Sequence, residues 1–164
     1  KQEINKIKRN KSSLSGIKVL SPLNAIVIKK NINNVEIEYF DLTEISQGGP
    51  EIGRLLINDK LVLEFRFGGP CLSDGESVFA PVYVKKIFGT GFKLSKINIK
   101  NLDVEFLGKT KDLIFLDKIQ GGKIYFFEDI CKTIPKYYEI NQGNLNVNSN
   151  KTNSDDIIDN VSSL

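Results

Sequence analysis

Arg54-Leu55-Leu56-Ile57, then Asn58-Asp59, then Lys60-Leu61-Val62-Leu63-Glu64-Phe65 is the stretch that decides the fold class. Two apolar-rich segments flank a two-residue connection, the shortest common hairpin turn, so the segments pair as antiparallel strands. Gly48-Gly49-Pro50 lies before this hairpin and Gly68-Gly69-Pro70 after it. Proline cannot donate a ladder hydrogen bond and glycine supports sharp turns, so each triplet marks a place where the chain leaves a sheet.

The same signals repeat outward. Val35-Glu36-Ile37-Glu38-Tyr39-Phe40 alternates apolar and charged side chains, which predicts a half-exposed strand. Its partner is expected upstream, in Ile17-Lys18-Val19-Leu20 and Ala25-Ile26-Val27-Ile28, with a turn at Asn31-Ile32-Asn33-Asn34. Val78 to Val84 reads as a strand whose Pro81 argues for an edge or a bulge. Gly89-Thr90-Gly91 marks a turn into Phe92–Ile99, where lysines are expected on one face and apolar residues on the other. Val104–Leu107 follows. Leu113–Ile119 and Lys123–Phe127 form a last hairpin across a three-residue turn, Gln120-Gly121-Gly122, and Tyr137–Ile140 is a final strand. The expectation is an all-β fold: antiparallel hairpins forming an open, propeller-blade-like sheet or sandwich. At 164 residues the chain suits one domain. It divides into a basic flexible arm over 1–16, an all-β domain over 17–140 and an Asn- and Ser-rich disordered tail over 141–164.

Composition removes several function classes. There is no histidine, so Ser-His-Asp, Cys-His and His-metal sites are unavailable. Cys71 and Cys131 are too few for a metal site of their own. Cys71, beside Pro70 in apolar sequence, reads as a small core residue, and whether the two thiols pair stays open. Neither glycine cluster matches a phosphate loop. The carboxylates of Asp155-Asp156 and of Glu36 with Glu38 read as solvated charge. No catalytic constellation, cofactor or metal is expected.

The net charge of +3 is modest, but its distribution is uneven. Residues 33–76 hold nine acidic side chains against Arg54, Lys60 and Arg66; residues 77–109 hold six lysines against Asp103 and Glu105. Lysines on one strand face and aromatics on the other do not make a stacking platform, which argues against single-stranded nucleic acid. Segregated charge suits steering of a protein partner of opposite sign. The candidate contact residues are Glu36, Glu38, Glu51, Lys85 and Lys86. No run of 18 apolar residues occurs, so no transmembrane segment is expected.

Leu72-Ser73-Asp74-Gly75-Glu76-Ser77-Val78-Phe79-Ala80-Pro81 resembles the turn and strand that recur in β-propeller blades, and Ser21-Pro22-Leu23-Asn24-Ala25-Ile26-Val27-Ile28 is an earlier echo. The wider order, from Gly48-Gly49-Pro50-Glu51-Ile52-Gly53 through the hairpin to Phe67-Gly68-Gly69-Pro70-Cys71 and Ala80-Pro81, resembles small bacterial proteins regarded as candidate immunity proteins of polymorphic toxin systems. That resemblance implies a non-enzymatic protein that binds and occludes a cognate toxin in the bacterial cytoplasm. The alternative is an envelope-anchored, lipoprotein-like structural or ligand-binding protein. It is suggested by a start without Met and by the spacer-like Lys1-Gln2-Glu3-Ile4-Asn5-Lys6.

Overall fold

A computed structural model of the chain describes residues 26–140. The basic arm, the first strand pattern at 17–20 and the Asn/Ser-rich tail lie outside the described residues. Eleven strands follow in order: β1 (Lys29–Ile32), β2 (Val35–Glu44), β3 (Glu51–Ile57), β4 (Lys60–Phe67), β5 (Leu72–Ser73), β6 (Ser77–Lys85), β7 (Thr90–Asn98), β8 (Val104–Lys111), β9 (Phe115–Gln120), β10 (Lys123–Phe127) and β11 (Lys136–Glu139). They build two antiparallel sheets. The larger runs β1-β2-β3-β4-β6-β7-β8 with β5 also on β6, and the smaller runs β11-β10-β9. The larger sheet is strongly curled, as a half-barrel.

The deciding hairpin forms as read. Ile57 pairs with Lys60, and Asn58 and Asp59 take φ of 48° and 62°. Both central residues are left-handed, the requirement of the turn that matches the twist of its strands. The final hairpin is tighter than expected: Gln120 pairs with Lys123, leaving a two-residue turn of Gly121 and Gly122 at φ of 57° and 71°. The first strand lies further along the chain than its apolar pattern suggested. Ile26–Ile28 precede β1, and Lys29–Ile32 pair with Val35–Glu38 around a turn at Asn33 and Asn34.

Bulges account for the curl. Register shifts interrupt β2/β3 near Asp41, β3/β4 near Glu64 and β7/β8 near Gly108, and all three residues have positive φ. Extra residues on one strand increase local twist and bend a sheet. Arg66 ties the first bulge, donating to the Asp41 carboxylate at 3.1 Å and to Thr43 Oγ1 at 3.2 Å. Pro81 sits in the interior of the sheet but at a gap in it. Its carbonyl accepts from Gly68 N–H, so its own nitrogen faces the space between the β5 and β4 pairings, where no ladder donor is needed.

Two apolar cores result. The first gathers Ile37 and Tyr39 of β2, Leu55 and Ile57 of β3, Val62 and Phe67 of β4, Val78, Ala80 and Val82 of β6 and Ile97 of β7. It draws on the larger sheet alone, which packs on itself by curling. The second joins Phe79, Phe92, Leu94 and Leu107 of the larger sheet to Leu116, Ile124, Phe126 and Tyr138 of the smaller. β6 and β7 are therefore buried on both faces. This corrects the expectation for Phe92–Ile99: Phe92 and Leu94 face one core, Ile97 faces the other, and Ser95 is buried with its hydroxyl donating to the Ala80 carbonyl at 2.8 Å. The smaller sheet covers the face of Phe92 and Leu94, and the curl of the larger sheet covers the opposite face, which the sequence assigned to water.

Candidate binding surface

Glu36 and Glu38 are two residues apart on β2, so they share a face, and their register partners on β1 are Asn31 and Lys29. The Asn58-Asp59 turn folds back toward them: Glu36 N–H donates to Asn58 Oδ1 at 2.9 Å, and Asn58 N–H donates to the Glu36 carbonyl at 2.8 Å. One carboxylate oxygen each from Glu36, Glu38 and Asp59 fall within 4.8 Å of one another. The Lys29 ammonium lies 2.8 Å from Glu36 and 4.0 Å from Glu38. Its hydrogen bond to Glu36 raises its pKa above the ordinary lysine value, against a smaller opposing effect of burial. Three oxygens in this arrangement are the donors a hard cation would take. In the protein as it stands an ammonium occupies that role.

Lys85 and Lys86 lie elsewhere, at the hairpin between β6 and β7. Lys85 pairs with Thr90, and Lys86 N–H donates to the Gly89 carbonyl at 3.0 Å, closing a four-residue connection of Lys86, Ile87, Phe88 and Gly89. The turn thus begins three residues before Gly89-Thr90-Gly91, where the sequence placed it; Thr90 and Gly91 already belong to β7. Lys86 is ion-paired to Asp112, and the Lys86 interaction holds that carboxyl below its ordinary pKa. At the apex Ile87 is 95% and Phe88 91% exposed. Sequence reading passed over both, because an apolar pair before a glycine looks like the end of a strand.

Glu51 joins neither group. It is 7% exposed and offers a partner little surface. It lines a small cleft with Pro50, Gly68, Gly69 and Leu113–Phe115, floored by Phe92, where both Gly-Gly-Pro triplets meet. The cleft volume of about 10 Å³ is room for a single water.

Cys71 and Cys131 are both free, the first buried and the second exposed. Burial raises the Cys71 thiol pKa, with the neighbouring Tyr39 hydroxyl opposing, and so makes Cys71 a core residue rather than a nucleophile. A third polar group lies at the junction of the two sheets, where Glu128 is ion-paired to Lys111 of β8 and Lys136 of β11. Burial pushes this carboxyl up, but the two ammonium groups together hold it below its ordinary pKa. Among the described residues no helix is long and apolar enough to cross a membrane.

The five residues proposed from sequence therefore fall into an acidic strand face, a lysine-bearing hairpin tip and one buried position. Comparison with family models, with curated proteins and with solved structures finds no match to this chain.

Proposed function

We propose that this chain is a protein-binding module of the immunity type, which inactivates a toxin by occluding it. The observation that carries the reading is the convergence of Glu36, Glu38 and Asp59 around Lys29 on one strand face. Glu36 and Glu38 hold that ammonium and Asp59 adds to the field on it, at the surface of a double-cored sheet. Such a face favours a basic surface on the partner, speeds encounter and rejects acidic competitors. The fold supports this use: Ile37 and Tyr39 anchor β2 from beneath, so the carboxylates are displayed on a strand whose other side is fixed in the core.

The experiment is capture from lysate of the chain's own source, followed by co-expression of each retained protein with the chain. One stoichiometric partner is expected whose expression alone arrests growth and whose effect the chain relieves. Glu36→Lys with Glu38→Lys should abolish relief while the purified variant keeps its far-UV spectrum. Relief undiminished by this double reversal would remove the acidic face from the interface, and a partner harmless on its own would remove the immunity reading.

A further inference from the structure

The β6–β7 hairpin tip is a second surface, distinct from the acidic face and not explained by occlusion there. Ile87 and Phe88 stand adjacent at its apex, each more than nine-tenths exposed. Their presentation is ordered: the connection is closed by the Lys86–Gly89 hydrogen bond and continues an unbroken register from Lys85↔Thr90 to Ser77↔Asn98. Two large apolar side chains held in water by a regular hairpin are a cost with no return inside the described fold.

Cations stand behind them. Lys85 and Lys86 lead into the apex, and the end of β8 runs beside it. A Cβ placed on Gly91 would come within 3.2 Å of both Lys86 Cε and Thr110 Cγ2. Lys109 and Lys111 flank Thr110 in the chain, and Lys93 follows two residues after Gly91 with its ammonium 5.4 Å from the Phe106 ring centre. Asp112 and Glu128, the acids in contact with this group, are already bound by Lys86, Lys111 and Lys136.

We infer that this hairpin tip docks on an anionic lipid surface. Ile87 and Phe88 would enter the boundary between headgroups and acyl chains, while the exposed Lys85 and Lys109 remain at headgroup level facing lipid phosphate and carboxylate. An apex of two side chains suits a bilayer better than a protein pocket. A lipid surface needs no complementary shape, whereas a stable protein interface needs about 800 Å² from each partner. Docking of this kind is weak and reversible, since the lysine collar acts through solvent and is screened by salt.

The chain contains no tryptophan, so Phe88→Trp installs a single reporter. With vesicles of equal parts phosphatidylcholine and phosphatidylserine, the full chain should sediment with the lipid, and it should stay in solution with phosphatidylcholine alone. The Phe88→Trp emission should shift to shorter wavelength and be quenched by brominated acyl chains. Ile87→Ser with Phe88→Ser should weaken partitioning at least about tenfold, and Lys85→Glu with Lys109→Glu should do the same and abolish the salt dependence. Residues so exposed tolerate these changes, and an unchanged thermal melt would verify it. Failure to sediment, sedimentation indifferent to the serine pair, or tryptophan emission that shifts only with a protein partner would each overturn the inference. None of these results bears on the acidic face, whose test is relief of toxicity.

Discussion

The two cores differ in how they treat polar groups taken out of water. Inside the curl, Tyr39 is 1% exposed and its hydroxyl donates to the Gly68 carbonyl at 2.7 Å, while Ser95 is matched to Ala80. At the junction of the sheets, Tyr138 is fully buried and stacks on Phe126 with ring centres 4.6 Å apart, but its hydroxyl has no hydrogen-bond partner among the described residues. Burial and the nearby Glu128 carboxylate raise its pKa to about 12, so it stays protonated. The curled core is closed by matched hydrogen bonds. The junction is apolar packing rimmed by the Lys111–Glu128–Lys136 ion pairs. An unmade buried hydrogen bond costs more than a made one contributes, so the curled core is the better specified of the two.

The largest expected effect strikes the junction. Gly108 takes φ of 69°, and a Cβ there would stand 2.5 Å from the Tyr138 ring. Gly108→Ala combines a left-handed backbone penalty of about 1–2 kcal/mol with overpacking of about 1–3 kcal/mol. A loss of about 2–5 kcal/mol in urea unfolding is expected. Hydrogen exchange should show the amides of β10 losing protection more than those of β2 and β3. Uniform loss across both sheets would mean that the cores unfold only together.

A matched pair of tyrosine variants sharpens the contrast. Tyr39→Phe strands the Gly68 carbonyl in the core and should cost about 1–3 kcal/mol. Tyr138→Phe removes an unpartnered hydroxyl and keeps the stacked ring, so stability should be unchanged or higher. Equal losses in the two variants would show that the Tyr138 hydroxyl is satisfied after all.

What the sequence made legible follows the same division. The curled core was readable because β2 and the β3–β4 hairpin alternate or turn by local rules: Val35, Ile37 and Tyr39 point inward, and Asn58-Asp59 adopts the backbone a two-residue turn requires. The junction was not: the strands of the smaller sheet were read from their own patterns, but nothing local says that they pack on Phe92 and Leu94 while Ile97 faces the other core, so that both faces of β7 are buried. β1 was misplaced for a related reason. It is an edge strand with mostly exposed residues, so its pairing comes from hydrogen bonds to β2 rather than from an apolar stripe. Of the candidate site, Glu36 with Glu38 and Lys85 with Lys86 were found as neighbours in sequence. Lys29 and Asp59 were missed because pairing and a turn bring them to Glu36 from elsewhere in the chain.

The smallest predicted effect concerns pH. The Glu128 pKa lies below its ordinary value of 4.5 in the folded protein, because Lys111 and Lys136 outweigh burial. A carboxyl depressed on folding binds protons more readily when unfolded, so its contribution is fully present above pH 4.5 and fades as pH falls through the folded value. The curled core has no corresponding ion pair among its buried members, and its Tyr39 hydroxyl has its pKa raised, which keeps it neutral throughout this range. Glu128→Gln should therefore lower stability above pH 4.5, where the ion pairs are formed, and flatten the profile below it. Tyr39→Phe should lower the whole acid branch without changing its slope. A Glu128→Gln profile parallel to that of the unsubstituted chain would place the acid sensitivity outside the junction, and the ion pairs there would then be surface decoration rather than the clasp between the sheets.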